Sequence, residues 1–186
     1  MDEQLSLSYH ESGHTVALYT HGRAAEYVTI EPGPNGRAGH TQPVEISDAE
    51  VEKDFVGHTK RELVYRLSAY YAAMYAELTP TTPQREFEQI METQLDVAGL
   101  SAANRGEDRG DIYSARLALE ILEELGQNQL QCAREGVQQA IDLVWNYRVP
   151  IGHLALWLVQ NRTLSRDKIE LVLRPYGLVR GSEGTE

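Results

Sequence analysis

From Leu5 to His21 good helix formers carry an apolar row that includes Val16, Leu18 and Tyr19, and Gly22 follows as a stop signal, which predicts a first helix. Tyr27 to Ile30 is rich in β-branched residues, Pro32 to Gly36 is turn-forming, and Ala38 to Val44 is again extended, so a β-hairpin is expected next. Helical spacing returns from Asp48, with Leu63, Leu67, Tyr70, Met74 and Leu78 three and four apart, until Thr79 to Pro83 breaks it. That reads as a long, bent helix. Phe87, Ile90, Met91 and Leu95 mark a short third one, and Ser101 to Gly110 a polar loop. Beyond it, the stripe Ile112, Ala115, Leu119, Leu122 and the stripe Leu130, Ala133, Val137, Ile141, Val144 predict an antiparallel helix pair turning at Gly126. A helix from Pro150 to Leu158 and a last one, capped by Ser165 and running to about Leu173, complete the order.

The expected fold class is therefore mainly α with a small β-hairpin next to the first helix. Residues 1–175 read as a single domain, since no linker divides two cores, and 176–186 as a disordered tail, its end being Gly181-Ser182-Glu183-Gly184-Thr185-Glu186.

Composition narrows the partners. With 17 basic against 28 acidic residues and a formal charge of -11, the chain offers phosphate backbones and anionic lipids no general attraction, so neither nucleic acid nor membrane is an expected partner. No stretch approaches the roughly 18 apolar residues of a membrane span, and the start, Met-Asp-Glu-Gln-Leu, lacks the basic character of a secretory signal. Cys132 is the single cysteine, which suits a reducing compartment, and the expected location is the cytoplasm.

The chemistry sits in the first predicted helix, where His10-Glu11-Ser12-Gly13-His14 is an HExxH pattern. On a helix, positions i and i+4 share a face, so both imidazoles can reach one ion at about 2.0–2.1 Å. Glu11 projects beside them, where it can take a proton from an attacking water without being a ligand. The missing side chain at Gly13 would let another helix approach closely, at a helix-propensity cost of about 1 kcal/mol. A catalytic zinc takes three protein ligands and keeps one position open, and the spacing alone leaves the third donor among many carboxylates. His21, seven residues past His14, is too far along the axis, and His40, His58 and His153 read as surface or core histidines.

Taken with its flanks, Tyr9-His10-Glu11-Ser12-Gly13-His14-Thr15-Val16 resembles the active-site helix of the peptidase domain of the FtsH family, which are ATP-dependent zinc metalloproteases. Val28-Thr29-Ile30 with Pro32, then Gly39-His40-Thr41-Gln42, is similar to that family's hairpin, whose second strand borders the substrate cleft. The resemblance implies substrate binding at Gly39, His40, Thr41 and Gln42. Asp111-Ile112 followed by Ala115 resembles the segment that supplies the third zinc ligand, so the resemblance implies His10, His14 and Asp111 as metal ligands and Glu11 as the catalytic base. Asn161-Arg162-Thr163-Leu164-Ser165 is similar to the family's Glu-Thr-Leu-Ser/Asp turn, and the likeness extends over residues 8–173.

The departures are specific. Ala72-Ala73-Met74-Tyr75-Ala76-Glu77 stands where the family has Gly-Gly-Arg-Ala-Ala-Glu, so helix packing there should differ. The Thr-Gly-Ala before the family's aspartate is replaced by Gly106-Glu107-Asp108-Arg109-Gly110, which keeps Glu107, Asp108 and Glu77 in play as rival third ligands. Asp111 itself, after a glycine and before a helical stripe, also has the reading of an N-cap. These 186 residues contain no Gly-x4-Gly-Lys-Ser/Thr phosphate loop.

The function these readings imply is a zinc-dependent metallopeptidase that hydrolyses peptides or unfolded protein segments, independent of ATP on its own. A substrate strand would pair beside residues 38–44, with Pro43 limiting it at one point. Two alternatives differ in class. One is a dedicated regulatory peptidase with a single partner substrate, and the other is a catalytically weak FtsH-like binding module. The partners expected are a peptide or unfolded protein, with room for a homo-oligomer or a separate ATPase that delivers substrate.

Overall fold

The apolar row of the first helix is enclosed on every side. In the computed structural model, which describes residues 3–33, 38–78, 81–94, 100 and 110–179, helix α1 (Glu3–Thr20) is buried without a break from Glu11 to Tyr19. A helix buried all round must satisfy its own polar side chains. Accordingly the Ser8 hydroxyl donates to the Gln4 carbonyl at 2.8 Å and the Thr15 hydroxyl to the Glu11 carbonyl at 2.9 Å. Gly22, at φ 72°, ends the turn after the helix, a conformation other residues enter at a cost.

The hairpin follows as β1 (Ala25–Thr29) and β2 (His40–Pro43), antiparallel, with Val28 opposite Thr41 and Thr29 opposite His40. Part of its turn, residues 34–37, lies outside the described residues. A third strand, β3 (Thr163–Ser165), pairs antiparallel on the other side of β1, giving the order β2-β1-β3. The sequence reading placed only a helix cap there, because three residues are too short for any alternation to register. Leu164 is nevertheless fully buried beneath the sheet. Among the described residues the outer edge of β2 pairs with no strand.

The expected long helix is two: α2 (Asp48–Lys53) and α3 (Phe55–Tyr75). They meet at Asp54, whose non-helical backbone (φ -144°, ψ 58°) interrupts the helix and whose carboxylate accepts from the Gly57 N–H at 3.1 Å, starting the second one. Helix α3 buries Leu63, Leu67 and Tyr71 against the core, each aliphatic side chain contributing about 1.5–3 kcal/mol of transfer free energy. Helix α4 (Gln84–Gln94) carries Phe87 and Met91 inward; Leu95, expected on it, lies outside the described residues.

Helices α5 (Asp111–Glu124) and α6 (Gln129–Asn146) pack against each other across a turn with Gly126 at φ 77°. Helix α7 (Arg148–Asn161) begins two residues before Pro150, and Tyr147 alone separates it from α6. Helix α8 (Arg166–Leu173) and a 3-10 turn (Arg174–Tyr176) end the order. Ser165 precedes α8 in extended conformation but makes no side-chain cap bond, contrary to the capping role expected of it. The tail expected from 176 is described as far as 179, where Leu178 and Val179 pack on the core, and the Tyr176 hydroxyl bonds His153. Residues 180–186 lie outside the described residues. No described helix is long and apolar enough to cross a membrane.

Helix α1 packs against both α3 and α7 and carries the sheet over its exposed edge. Its contact with α3 explains Gly13. A Cβ built there would lie 2.7 Å from the Ala72 Cβ and 2.8 Å from the Ser68 carbonyl oxygen, so the two helices close only because the side chain is missing. The small Ala72 of the altered stretch sits at this contact.

Candidate metal centre

Helix α1 places His10 and His14 one turn apart, and α5 brings Asp111 to them from 97 residues away. The His10 Nε2 lies 2.9 Å, and the His14 Nε2 3.1 Å, from the same Asp111 oxygen, Oδ2. One donor atom from each residue falls within 4.8 Å of the other two, and the group can hold a metal ion. Asp111 is the first residue of α5, after Gly110 at the cap position with no side-chain bond, so its carboxylate is turned to the histidines and does not cap the helix.

The other Asp111 oxygen is occupied as well. Arg66, on α3, donates through Nη1 to Oδ1 at 3.0 Å, while its Nη2 lies 3.8 Å from Glu62. Helix α3 thus fixes the carboxylate's orientation and leaves Oδ2 facing the imidazoles. The preceding residue, Tyr65, lays its ring 4.3 Å from that of His14 and walls the site on that side. Neither residue was singled out from the sequence: Arg66 stands four residues after Glu62, which reads as an ordinary exposed helix pair, and Tyr65 reads as core.

The electrostatics follow from this packing. Burial by itself would raise the Asp111 pKa, but hydrogen bonds and charge from His10 and His14 outweigh it and hold the carboxyl far below the usual carboxylate range. Burial opposes a charge on His10, yet the bond to Asp111 and the nearby Glu11 raise its pKa above the ordinary imidazole value. Among the described residues His14 Nδ1 has no hydrogen-bond partner.

Glu11, next to His10 on α1, is only 4% exposed. Its Oε2 accepts from the Thr41 hydroxyl at 2.8 Å. The Thr41 hydroxyl also lies 3.1 Å from the Glu11 carbonyl, but it has a single proton, and the nearer, charged carboxylate oxygen is the stronger acceptor. Strand β2 approaches Glu11 at Gly39, where an added Cβ would be 2.9 Å from Oε1.

A cleft of about 1120 Å³ opens onto this group. Of the residues expected to bind substrate, Gly39, His40 and Thr41 line it; Gln42 does not, and accepts instead from or donates to His40, their side chains 2.9 Å apart. Thr41 is buried and spends its hydroxyl on Glu11, so its side chain holds that carboxylate and does not face the cleft as a free donor. Of the rival ligands, Glu77 is exposed beyond the end of α3 and does not join the group, while Glu107 and Asp108 lie outside the described residues. His21, His40, His58 and His153 do not join it either.

No known family model matches the chain, and no curated protein matches it.

Proposed function

We propose that this protein is a zinc-dependent metallopeptidase that hydrolyses peptide bonds in extended peptides or unfolded protein segments. The observation that carries the reading is the convergence of His10, His14 and Asp111 on one point with the Glu11 carboxylate held alongside. The donor set suits zinc: two imidazole nitrogens and one carboxylate oxygen form the three-ligand set of a catalytic site with an open position. Zinc bonds of 2.0–2.1 Å in a tetrahedron put ligand atoms about 3.3 Å apart. The nitrogen-to-oxygen separations of 2.9 and 3.1 Å are close to that edge. The likeness to the FtsH peptidase helix and to its aspartate segment supports the same assignment. A reducing compartment such as the cytoplasm suits the lone, buried Cys132.

When bound, the ion supplies Lewis acidity for the scissile carbonyl and makes water a better nucleophile at neutral pH. The chain's own residues do the rest. Thr41 holds Glu11 by Oε2, so Oε1, beside the side-chain-free Gly39, is the atom that takes the water's proton and later passes it to the leaving amine. Arg66 keeps Asp111 from swinging away from the histidines. The open edge of β2, with Gly39 and His40 on the cleft, receives an extended substrate through main-chain hydrogen bonds, and Pro43 interrupts that pairing. An extended strand is required there, so folded proteins should be poor substrates.

The decisive experiment measures metal content and cleavage of an unstructured protein in the wild type and in Glu11→Gln. About one zinc per chain in both, with cleavage lost in the variant, is the expected result. Equal cleavage by the variant, or a wild type that takes up no zinc, sinks the proposal.

A further inference from the structure

Among the described residues two arginines line the cleft, and they differ in kind. Arg66 is committed to Asp111 and Glu62. Arg162 is exposed, and its guanidinium has no hydrogen-bond or ion-pair partner among the described residues. It stands between the end of α7 and the start of β3 at φ 64° and ψ -41°, and among the described residues it is the only non-glycine with a positive φ. Glycine would take that conformation with less strain. The backbone there is held rigidly. The Arg162 N–H donates to the Leu158 carbonyl at 2.8 Å, and its carbonyl accepts from the Ile30 N–H at 2.9 Å. A strained position that could have been glycine therefore presents, on a fixed mount, an uncommitted positive charge to the cleft.

Its place in the sheet sets the reach. His40 and Thr163 both pair with Thr29, so Arg162, next to Thr163, lies about two strand spacings, roughly 10 Å, from His40, and about three, roughly 14 Å, from a substrate strand paired on the outer edge of β2. A substrate side chain and an arginine side chain together bridge that gap, across Ile30 and Pro32, which also line the cleft. Because the chain as a whole carries -11, nothing general would draw an anion there.

We infer that Arg162 is a substrate-recognition position that takes a carboxylate of the bound peptide, so the preferred substrates are anionic segments bearing a glutamate, an aspartate or a free C-terminus a few residues from the cleaved bond. This deepens the peptidase reading and rests on it for the word substrate, although the binding step does not require cleavage. The guanidinium offers a two-pronged donor to a planar carboxylate, which an ammonium would not. Glu3, on the same cleft, limits the charge to one locality and disfavours a run of acidic residues.

The test uses the zinc-loaded full chain carrying Glu11→Gln, which binds without turnover, and rhodamine-labelled peptides read by anisotropy. In one series a single glutamate steps along a neutral, amidated peptide; a second series carries lysine instead; a third keeps the neutral sequence but frees its C-terminal carboxylate. One glutamate position, or the free terminus, should bind about tenfold tighter than the neutral peptide. That preference should vanish in Arg162→Gly and Arg162→Gln. Arg162→Gly should also melt no lower than its parent, since it relieves the backbone, an outcome that separates lost recognition from lost structure. No preference for any anionic peptide, or a preference that survives Arg162→Gly, overturns the inference. If the anionic peptide binds through Arg162 but the wild type cleaves nothing, the peptidase reading falls and the recognition site stands. If cleavage occurs without discrimination, the reverse holds.

Discussion

The Thr41 hydroxyl donates to Glu11 Oε2 at 2.8 Å across a contact in which both side chains are about 4% exposed. A buried hydrogen bond to a charged acceptor is worth about 1.5–3 kcal/mol, and here it also selects which carboxylate oxygen faces the cleft. Thr41→Val removes it with little change in shape. The expected outcome is a fall in kcat of about tenfold or more with zinc content and KM nearly unchanged, and recovery in Thr41→Ser. Steady-state kinetics beside metal analysis checks this; a loss of zinc in the valine variant would assign Thr41 to the fold instead.

Arg66 orients Asp111, the third of the proposed zinc ligands. Arg66→Met keeps the stem and removes the bond to Asp111 Oδ1, and zinc affinity should drop by about 10–100-fold in a chelator competition. The guanidinium also repels a cation through space, but the side chain is 35% exposed and solvent screens that term, whereas the 3.0 Å bond acts directly. Tighter zinc binding in the variant would show that repulsion dominates.

The ion-free site should leave a mark on stability against pH. His10 has a raised pKa in the fold, so its contribution is complete below its ordinary value of 6.5 and disappears as pH climbs through the raised value. Asp111 has a lowered one, so its contribution is complete above 3.8 and disappears as pH falls through the lowered value. Without metal, the pair stabilises most between those two limits. Zinc requires the imidazoles deprotonated, so the rise in Tm on adding zinc should grow from about pH 5 to pH 8. Melting curves with zinc and with chelator across that range provide the check, and a zinc effect independent of pH would contradict the assigned ligands.

Gly13 is where α1 meets α3. Gly13→Ala would force a Cβ to within 2.7 Å of Ala72 and 2.8 Å of the Ser68 carbonyl, and the backbone oxygen cannot be trimmed away. Overpacking of this kind costs about 1–3 kcal/mol, or a Tm lower by several degrees, measurable by calorimetry. Ala72→Gly relieves one of the three close contacts, the others being to the Ser68 carbonyl and, at 2.9 Å, the Ala69 Cα, and should restore only part of the loss. An unchanged Tm in Gly13→Ala would mean that α1 and α3 shift apart freely.

Much was legible along the chain because the signals are local. The spacing His10 to His14 fixes a shared helical face whatever surrounds it, the apolar rows of α1, α3, α5 and α6 announce helices, and Gly22 and Gly126 sit where the chain turns with positive φ. The break at Asp54 was blurred into a bend, since both sides of it have helical spacing and a single capping residue leaves little trace. Strand β3 was invisible because its reason for being a strand is β1, which lies more than a hundred residues earlier.

By itself, then, the sequence determined the helix with its two imidazoles, the carboxylate beside them, the neighbouring hairpin and a shortlist of acidic donors. Tertiary structure alone decided that Asp111 meets both histidines through one oxygen, that Arg66 holds the other, that Thr41 faces Glu11, and that Arg162 reaches the same cleft from the end of α7. The physical reason is range. Periodicity and capping are interactions of a few residues, whereas each of these contacts joins segments 30 or more residues apart, and only the packing of α3 against both α1 and α5, and of the sheet on α1, brings them within bonding distance.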